Sequence, residues 1–490
     1  MAIVGSGPAG FYTAKYLLDK HKSLTVDILE ALPTPFGLVR QGVAPDHPEV
    51  KSVMSTFTDV AQHPRCRFFG NVNVGDTNVG DRASTNGGAP KSQQVSVDEL
   101  KRAYDVVVLA YGASSDARLN IGGEQLDGVM SARNFVNWYN GHPHYSTLPV
   151  DLRRTKRAVI IGQGNVAIDC ARILAKRPDD LASTDIAPHA LNVLRESAVE
   201  EVVVVGRRGH VQAAFTIKEL RELTKIQGCF LHIDEGELAA GWTPASEAEL
   251  SDNRPKQRIV DLVKTIAATS AADAIQPPKI TNKTIKIRFL LSPTEILPSP
   301  THPSTAGSIV FAKNRLEGEA HRQCAVSTGE TEHLPCELIL KSVGYKSQPV
   351  GGVPFDPKTN TIPNLHGRVI HSRDQPSIVP GLYVSGWLKR GPSGIIGTNI
   401  TDAKETVSCI LEDLPNLEVA RKATGSEAGS GSETPLDPLE ILPALRSDDV
   451  VTWDHYINID REEVRRGQSL SPQKPREKIC SIHELLRVAK

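Results

Sequence analysis

Two glycine turns, each set between an apolar run and an amphipathic one, constrain this chain more than any other feature. The first is Gly5-Ser6-Gly7-Pro8-Ala9-Gly10, which follows the apolar run opening at Ala2. The second is Gly162-Gln163-Gly164-Asn165-Val166-Ala167, which follows the run opening at Ala158. In such a turn the first glycine permits the tight reversal and the second lets a pyrophosphate approach the backbone. The third small residue lets helix and strand pack closely. Free N–H groups at the helix start then face the anion. Two strand–turn–helix units predict an α/β chain with parallel sheets and two Rossmann-like, dinucleotide-binding domains. The bland alternative for each motif is a structural glycine turn.

The residues ending the next strand separate the two units. Glu30 lies 20 residues after Gly10, at the end of the run 25–29. An acid there bonds ribose hydroxyls and favours an unphosphorylated ribose, as in FAD or NAD. FAD is preferred, because a second unit exists for the nicotinamide. After the second turn the run 201–205 ends at Gly206 and continues as Arg207-Arg208. Two guanidiniums suit a 2′-phosphate through charge-assisted, bidentate bonds, which points to NADP. The spacing from Ala167 to Arg207 exceeds the usual one, and the polar stretch 176–195 accounts for it. A solvated basic turn is the alternative for this pair.

The sequence has 490 residues, of which 39% are hydrophobic and 23% charged, so globular domains are expected. The formal net charge of −1 gives no overall pull towards nucleic acid or membrane. The seven cysteines include no C-x-x-C, which argues against zinc, a bound iron–sulfur cluster and a redox dithiol. The chain enters a short strand at Ala2, so an upstream segment is expected to precede it. The reading along the chain is an FAD-binding domain over 1–113, an NADP-binding domain over 114–337 and the rest of the FAD domain with a tail over 338–490. The NADP domain is thus inserted in a discontinuous FAD domain. Expected loops are 76–97 and 293–307, with a low-complexity segment at 423–435. Expected strands include 104–113, 285–291, 338–343 and 381–385. A helix is expected over 215–226, and another from Asp402 after the glycine-rich turn 391–398.

Several blocks resemble one family closely: VGSGPAGFYTAKYLL from Val4, PFGLVRQGVAPDHPEVK from Pro35, and GQGNVAIDCARIL from Gly162. VGRRGHVQAAFTIKELREL from Val205, SVGYKS from Ser342, SGWLKRGPSGIIG from Ser385 and KPREK from Lys474 continue the match. The chain resembles the adrenodoxin reductases, the mitochondrial ferredoxin–NADP⁺ reductases of animals and fungi, over nearly its whole length. The resemblance implies FAD contacts at Ala9, Glu30, Leu38, Val74, Trp387 and Gly394, Ile395 and Ile396. It implies NADP contacts at Gln163, Gly164, Asn165, Val166, Arg207, Arg208, Glu219 and Gly394. It implies hydride transfer from NADPH to FAD, then two one-electron steps to a [2Fe–2S] ferredoxin serving P450 or iron–sulfur and haem pathways. His47 and Asp169 become candidates to relay charge or protons, against a structural histidine in a turn and an aspartate packed on a helix. A mitochondrial matrix address at the inner-membrane face follows from the resemblance alone.

The chain departs from the family in two places: the stretch 76–97 is longer than in the animal relatives, and Ile396-Gly397-Thr398-Asn399 replaces a threonine-rich run. Wider two-dinucleotide flavoproteins, by contrast, carry an aspartate where Trp387 follows Gly386 here.

Basic residues recur at Lys218, Arg221 and Lys225, then at Arg254, Lys256, Arg258 and Lys264. Arg254 and Arg258 stand four apart, so one helical face presents both. Arg221, Arg254 and Arg258 are candidates to dock an acidic ferredoxin, with a solvated helix face as the alternative. An FAD/NADPH monooxygenase and a flavin-binding scaffold share the same glycine motifs and stay open.

Overall fold

The computed structural model describes residues 1–75, 92–251, 253–275, 283–374, 376–425 and 437–490. It divides into two units. The first comprises 1–116, 142–144 and 344–490, and the second comprises 117–141 and 145–343.

The first unit is built on a seven-stranded sheet. Its order is Asn364–Leu365, Arg368–Ile370, Ile378–Val384, Val107–Leu109, Ala2–Val4, Val26–Glu30 and Cys66–Gly70. The last five pair in parallel, with Ala2 opposite both Asp27 and Val107. Side chains alternate across these strands, so each strand feeds two cores. Ile3, Ile28, Phe68 and Val108 pack on one face with the helices Pro8–Lys20 and Thr398–Gly425. Val4, Leu29, Phe69, Val107 and Leu109 pack on the other. The charged tail is an integral part of this unit. Tyr456 and Ile459 of helix Trp453–Leu470 and Leu485 of helix Ile482–Ala489 are buried in the first core.

The second unit carries a six-stranded, wholly parallel sheet. Its order is Cys229–Ile233, Lys283–Arg288, Glu201–Val205, Arg157–Ile161, Leu338–Lys341 and Val129–Ser131. Strands buried on both faces read as continuous apolar runs, as Val202 to Val205 do. Because Leu338–Lys341 pairs with Arg157–Ile161, the unit continues to Val343.

Three sequence expectations need correction. The stretch 293–307 is mostly strand: Leu291–Pro298, Ala306–Glu317 and Cys324–Pro335 form an antiparallel sheet. Pro293 and Pro298 are tolerated because their strand lies at the sheet edge, and the register shifts beside each. The loop 76–97 gives way to a strand, Gln93–Val95, paired with Val72–Val74, and Ser96 caps helix Val97–Ala103 with a capping box. Residues 76–91 lie outside the described residues. The helix expected from Asp402 begins at Thr398 and runs to Gly425, which takes in the first residues of 423–435, and 426–435 lie outside the described residues. Among the described residues, no helix is long and apolar enough to cross a membrane.

Candidate functional site

In the first unit, Gly5 has φ +105°, and a Cβ there would lie 2.6 Å from the Ala110 carbonyl. A Cβ on Gly10 would collide with the Gly5 carbonyl, so helix and turn are in direct backbone contact. Gly7 is different: a Cβ on it would meet no protein atom within 4 Å. Gly5 and Gly10 are therefore required by the fold, whereas Gly7 keeps a space open. Gly7 is the N-cap of helix Pro8–Lys20, and no side chain caps that first turn. Helices Val97–Ala103 and Ile217–Leu223 do have side-chain caps, from Ser96 and Thr216. An uncapped first turn facing open space fits an anionic group.

Glu30 is half-buried at the strand end. Its Oε2 accepts from Ser6 N–H at 3.1 Å and from Ser6 Oγ–H at 2.6 Å, and its Oε1 accepts from Leu32 N–H at 3.1 Å. A carboxylate has about four acceptor positions, so capacity is left for a sugar hydroxyl. Ala9 is buried in the first turn, and a Cβ on Gly386 would lie 2.5 Å from its methyl. Leu38 opens helix Leu38–Gln41 and is half-buried. Val74 ends its short strand and packs on the second core of the unit.

Trp387 starts helix Trp387–Arg390 and stacks on Tyr345 with ring centroids 5.5 Å apart. Gly394 has φ +84°, and the Ile395 N–H donates to Thr398 Oγ1 at 3.1 Å. Ile395 is 68% exposed, a large apolar side chain presented to its surroundings, while Ile396 packs against the core. Sequence reasoning missed Asp402. Trp387 stands where an aspartate is usual, yet a carboxylate is present: Asp402 accepts the Gly386 N–H from a helix 16 residues further on. Lys389 pairs with Asp402 at 3.0 Å. His47, 6% exposed, caps the short helix Pro48–Lys51 with its backbone.

The second unit repeats the turn. Gly162 has φ +125°, and a Cβ on it would collide with the Ser342 carbonyl. A Cβ on Gly164 would meet nothing within 4 Å, and helix Asn165–Ala175 has no side-chain cap. Ala167 is fully buried where the first unit has Gly10. Gln163 Nε2 donates to the Arg288 carbonyl at 2.8 Å, and Asn165 Oδ1 accepts from Thr216 N–H at 2.8 Å. Val166 is half-buried in the first turn. Arg207 is exposed and Arg208 half-buried, and among the described residues neither guanidinium makes an ion pair. Both are free to take an anion.

Asp169 and Glu219 come together around Arg172. That guanidinium is 1% exposed and pairs with Asp169 at 2.7 Å, Glu219 at 3.2 Å and Glu222 at 3.3 Å. Arg221 is exposed on helix Ile217–Leu223, and Arg254 and Arg258 are exposed on helix Arg254–Ile275. Beside Arg207-Arg208 lies a stack that the sequence did not suggest. His210, 1% exposed, stacks on Trp242 at 5.8 Å, and Lys264 Nζ sits 4.1 Å from the Trp242 centroid. Burial, and then the Lys264 charge, push the His210 imidazole down to about 4.

Comparison with known proteins follows the same pattern. The model of the pyridine nucleotide-disulphide oxidoreductase family matches residues 1–225. The chain is 44% identical over 492 residues to the mitochondrial NADPH:adrenodoxin oxidoreductase of Arabidopsis thaliana, covering 100% of this chain and 95% of that protein. It is 44% identical over 490 residues to the Homo sapiens protein of the same name, covering 91% of it. A solved structure, Mycobacterium tuberculosis FprA in complex with NADPH, matches with 42% identity and a TM-score of 0.85, covering 100% of this chain and 98% of that one. With full-length identity at this level, the chain belongs to the NADPH:adrenodoxin oxidoreductase family.

Proposed function

We propose that this chain is an FAD-dependent reductase that takes electrons from NADPH and delivers them singly to a [2Fe–2S] ferredoxin. One observation carries the reading: two glycine loops of the same backbone form stand beside opposite charges, Glu30 in one unit and Arg207-Arg208 in the other. The open spaces at Gly7 and Gly164 fit two pyrophosphates. FAD, when bound, supplies hydride acceptance and one-electron release.

The chain's own residues bind and orient. Ser6 and Gly7 with the first turn of helix Pro8–Lys20 hold phosphate oxygens, and Glu30 takes ribose hydroxyls. Leu38, Val74, Trp387 and Gly394, Ile395 and Ile396 enclose the FAD. Gln163 to Val166 form the second cradle, Glu219 borders it, and Arg207 and Arg208 clamp the 2′-phosphate. His47 and Asp169 relay charge or protons. Arg172 holds the Asp169 carboxylate in place.

The ferredoxin is acidic and docks on Arg221, Arg254 and Arg258. The mitochondrial names of the relatives support a mitochondrial address, and we assign the matrix with peripheral contact to the inner-membrane face.

Anaerobic NADPH titration tests the reading. The visible flavin band should bleach, and added [2Fe–2S] ferredoxin should restore it while becoming reduced. No bleaching would leave a flavin-binding scaffold, and stoichiometric hydroxylation of an organic substrate would indicate a monooxygenase. Charge reversal at Arg254 and Arg258 should slow ferredoxin reduction yet spare ferricyanide, a small acceptor that needs no docking. Equal loss of both activities would remove the docking assignment.

A further inference from the structure

We propose that the C-terminal segment 476–479 clasps the first glycine loop through the buried Arg40–Glu463 pair, which makes Arg40 and Glu463 positioning residues for FAD. The inference rests on the FAD reading above and adds to it a part of the chain that carries no glycine motif.

Glu463, on helix Trp453–Leu470, is 0% exposed. A wholly buried carboxylate is tolerable only when paired and hydrogen-bonded. Its Oε1 accepts from Arg40 Nη2 at 2.6 Å and from the Ile479 N–H at 2.9 Å. Its Oε2 accepts from Arg476 Nη1 at 3.3 Å, and Arg476 also reaches Asp460 at 2.7 Å. The tail is fixed by its backbone as well, since the Glu477 N–H donates to the Glu463 carbonyl at 2.8 Å. Where it crosses the helix, a Cβ on Gly467 would lie 2.6 Å from the Arg476 Cα. Lys478, itself buried, donates from Nζ to the Arg40 carbonyl at 3.2 Å. Both the side chain and the carbonyl of Arg40 are therefore held from the tail side.

Arg40 continues a backbone in an unusual conformation. Phe36 has φ +82° and Gly37 φ +46°. A phenylalanine in that region is strained and persists only where its surroundings hold it. Its N–H donates to the Ser6 carbonyl at 3.0 Å. Its ring packs on Phe11 at 5.5 Å and edge-on to Tyr456 at 5.7 Å, the latter from the same helix as Glu463. A Cβ on Gly37 would come within 3.0 Å of the Gly7 Cα. An unbroken route thus runs from 476–479 through Glu463 and Arg40 to the turn 36–41, and from there to Ser6 and Gly7. The clasp holds the strained turn against the loop that keeps the pyrophosphate space open.

The test uses the full chain with Glu463→Gln, Arg40→Met and Arg40→Lys. FAD affinity is read by flavin fluorescence quenching and by the visible circular dichroism of the bound flavin. The probe for the second unit is 2′,5′-ADP. Glu463→Gln and Arg40→Met should weaken FAD by roughly 10- to 100-fold, by analogy with the loss when residues that orient metal ligands are removed. The flavin dichroism should change, 2′,5′-ADP affinity should stay within about twofold, and Arg40→Lys should regain part of the loss. FAD affinity within about twofold of wild type in both variants would overturn the inference. A parallel loss of FAD and 2′,5′-ADP would also overturn it, since that marks general destabilisation. A wild-type chain that binds no FAD would overturn the FAD reading itself, an outcome distinct from both.

Discussion

The two glycine loops share a backbone plan and differ in what surrounds it. Both put the first glycine at positive φ and leave the second facing open space. They differ at the third position, where Gly10 touches a carbonyl and Ala167 finds room for its methyl. They differ more at the end of the next strand. Glu30 spends its acceptors partly on its own turn, through Ser6 and Leu32. Arg207 and Arg208 are not engaged by any carboxylate among the described residues. In the proposed reading the shared plan makes room for a pyrophosphate, and the strand-end residue decides which sugar can follow it.

The largest expected effect breaks the comparison at the third position. Gly10→Ala forces a methyl into the Gly5 carbonyl, and overpacking typically costs about 1–3 kcal/mol, with more expected against rigid backbone. The apoprotein should lose the folded first unit or melt far lower, as read by circular dichroism. The matching change in the second unit, Ala167→Gly, should cost only about 1 kcal/mol. Similar costs at the two positions would mean that the loops are not distinguished there.

Next comes Gly7→Val, whose side chain meets open space rather than protein. The variant should fold and be purified without FAD. Stoichiometric FAD in that variant would show that the open space is not the pyrophosphate site. Arg207→Ala and Arg208→Ala follow, each removing charge-assisted bonds worth about 1.5–3 kcal/mol. The ratio of kcat/KM for NADPH over NADH should fall by one to several orders of magnitude. An unchanged ratio would cancel the contrast with Glu30.

The effect that is absent at neutral pH concerns acid sensitivity. His210 is held near 4 when folded and titrates near its ordinary value of about 6.5 when unfolded. As pH falls below 6.5 the unfolded chain takes up the proton first, so stability declines down to about 4. About 2 kcal/mol should be lost by pH 5. His210→Phe should flatten that part of the stability–pH curve in denaturant melts. A curve identical to wild type would show that His210 does not carry it.

Strands Ala2–Val4, Val107–Leu109, Arg157–Ile161 and Glu201–Val205 were legible because they are apolar runs leading into glycine turns. The antiparallel sheet was not. Cys324–Pro335 is polar and largely exposed, and Pro293 and Pro298 give Leu291–Pro298 the look of a loop. Gln93–Val95 was hidden for the same reason, since two of its three residues are glutamines. At the proposed FAD site, Trp387 and Gly394 were reached through the family resemblance. Asp402 was not, because it reaches Gly386 from the next helix. Arg40 and Glu463 lie 423 residues apart, and no spacing rule links them. Motifs expose what a short stretch of backbone does, whereas a buried ion pair is visible only after the chain has closed on itself.

The discontinuous first sheet also sets an order of events during synthesis. Strand Val107–Leu109 must wait for its neighbour Ile378–Val384, and the core they share is closed by helices that end at Ala489. The second unit has its whole sequence available once Val343 has emerged. A growing chain can therefore complete its second nucleotide fold while the first is still a half-made sheet with an open edge. Domains generally fold as units as they leave the ribosome, so the unit begun first is the one finished last.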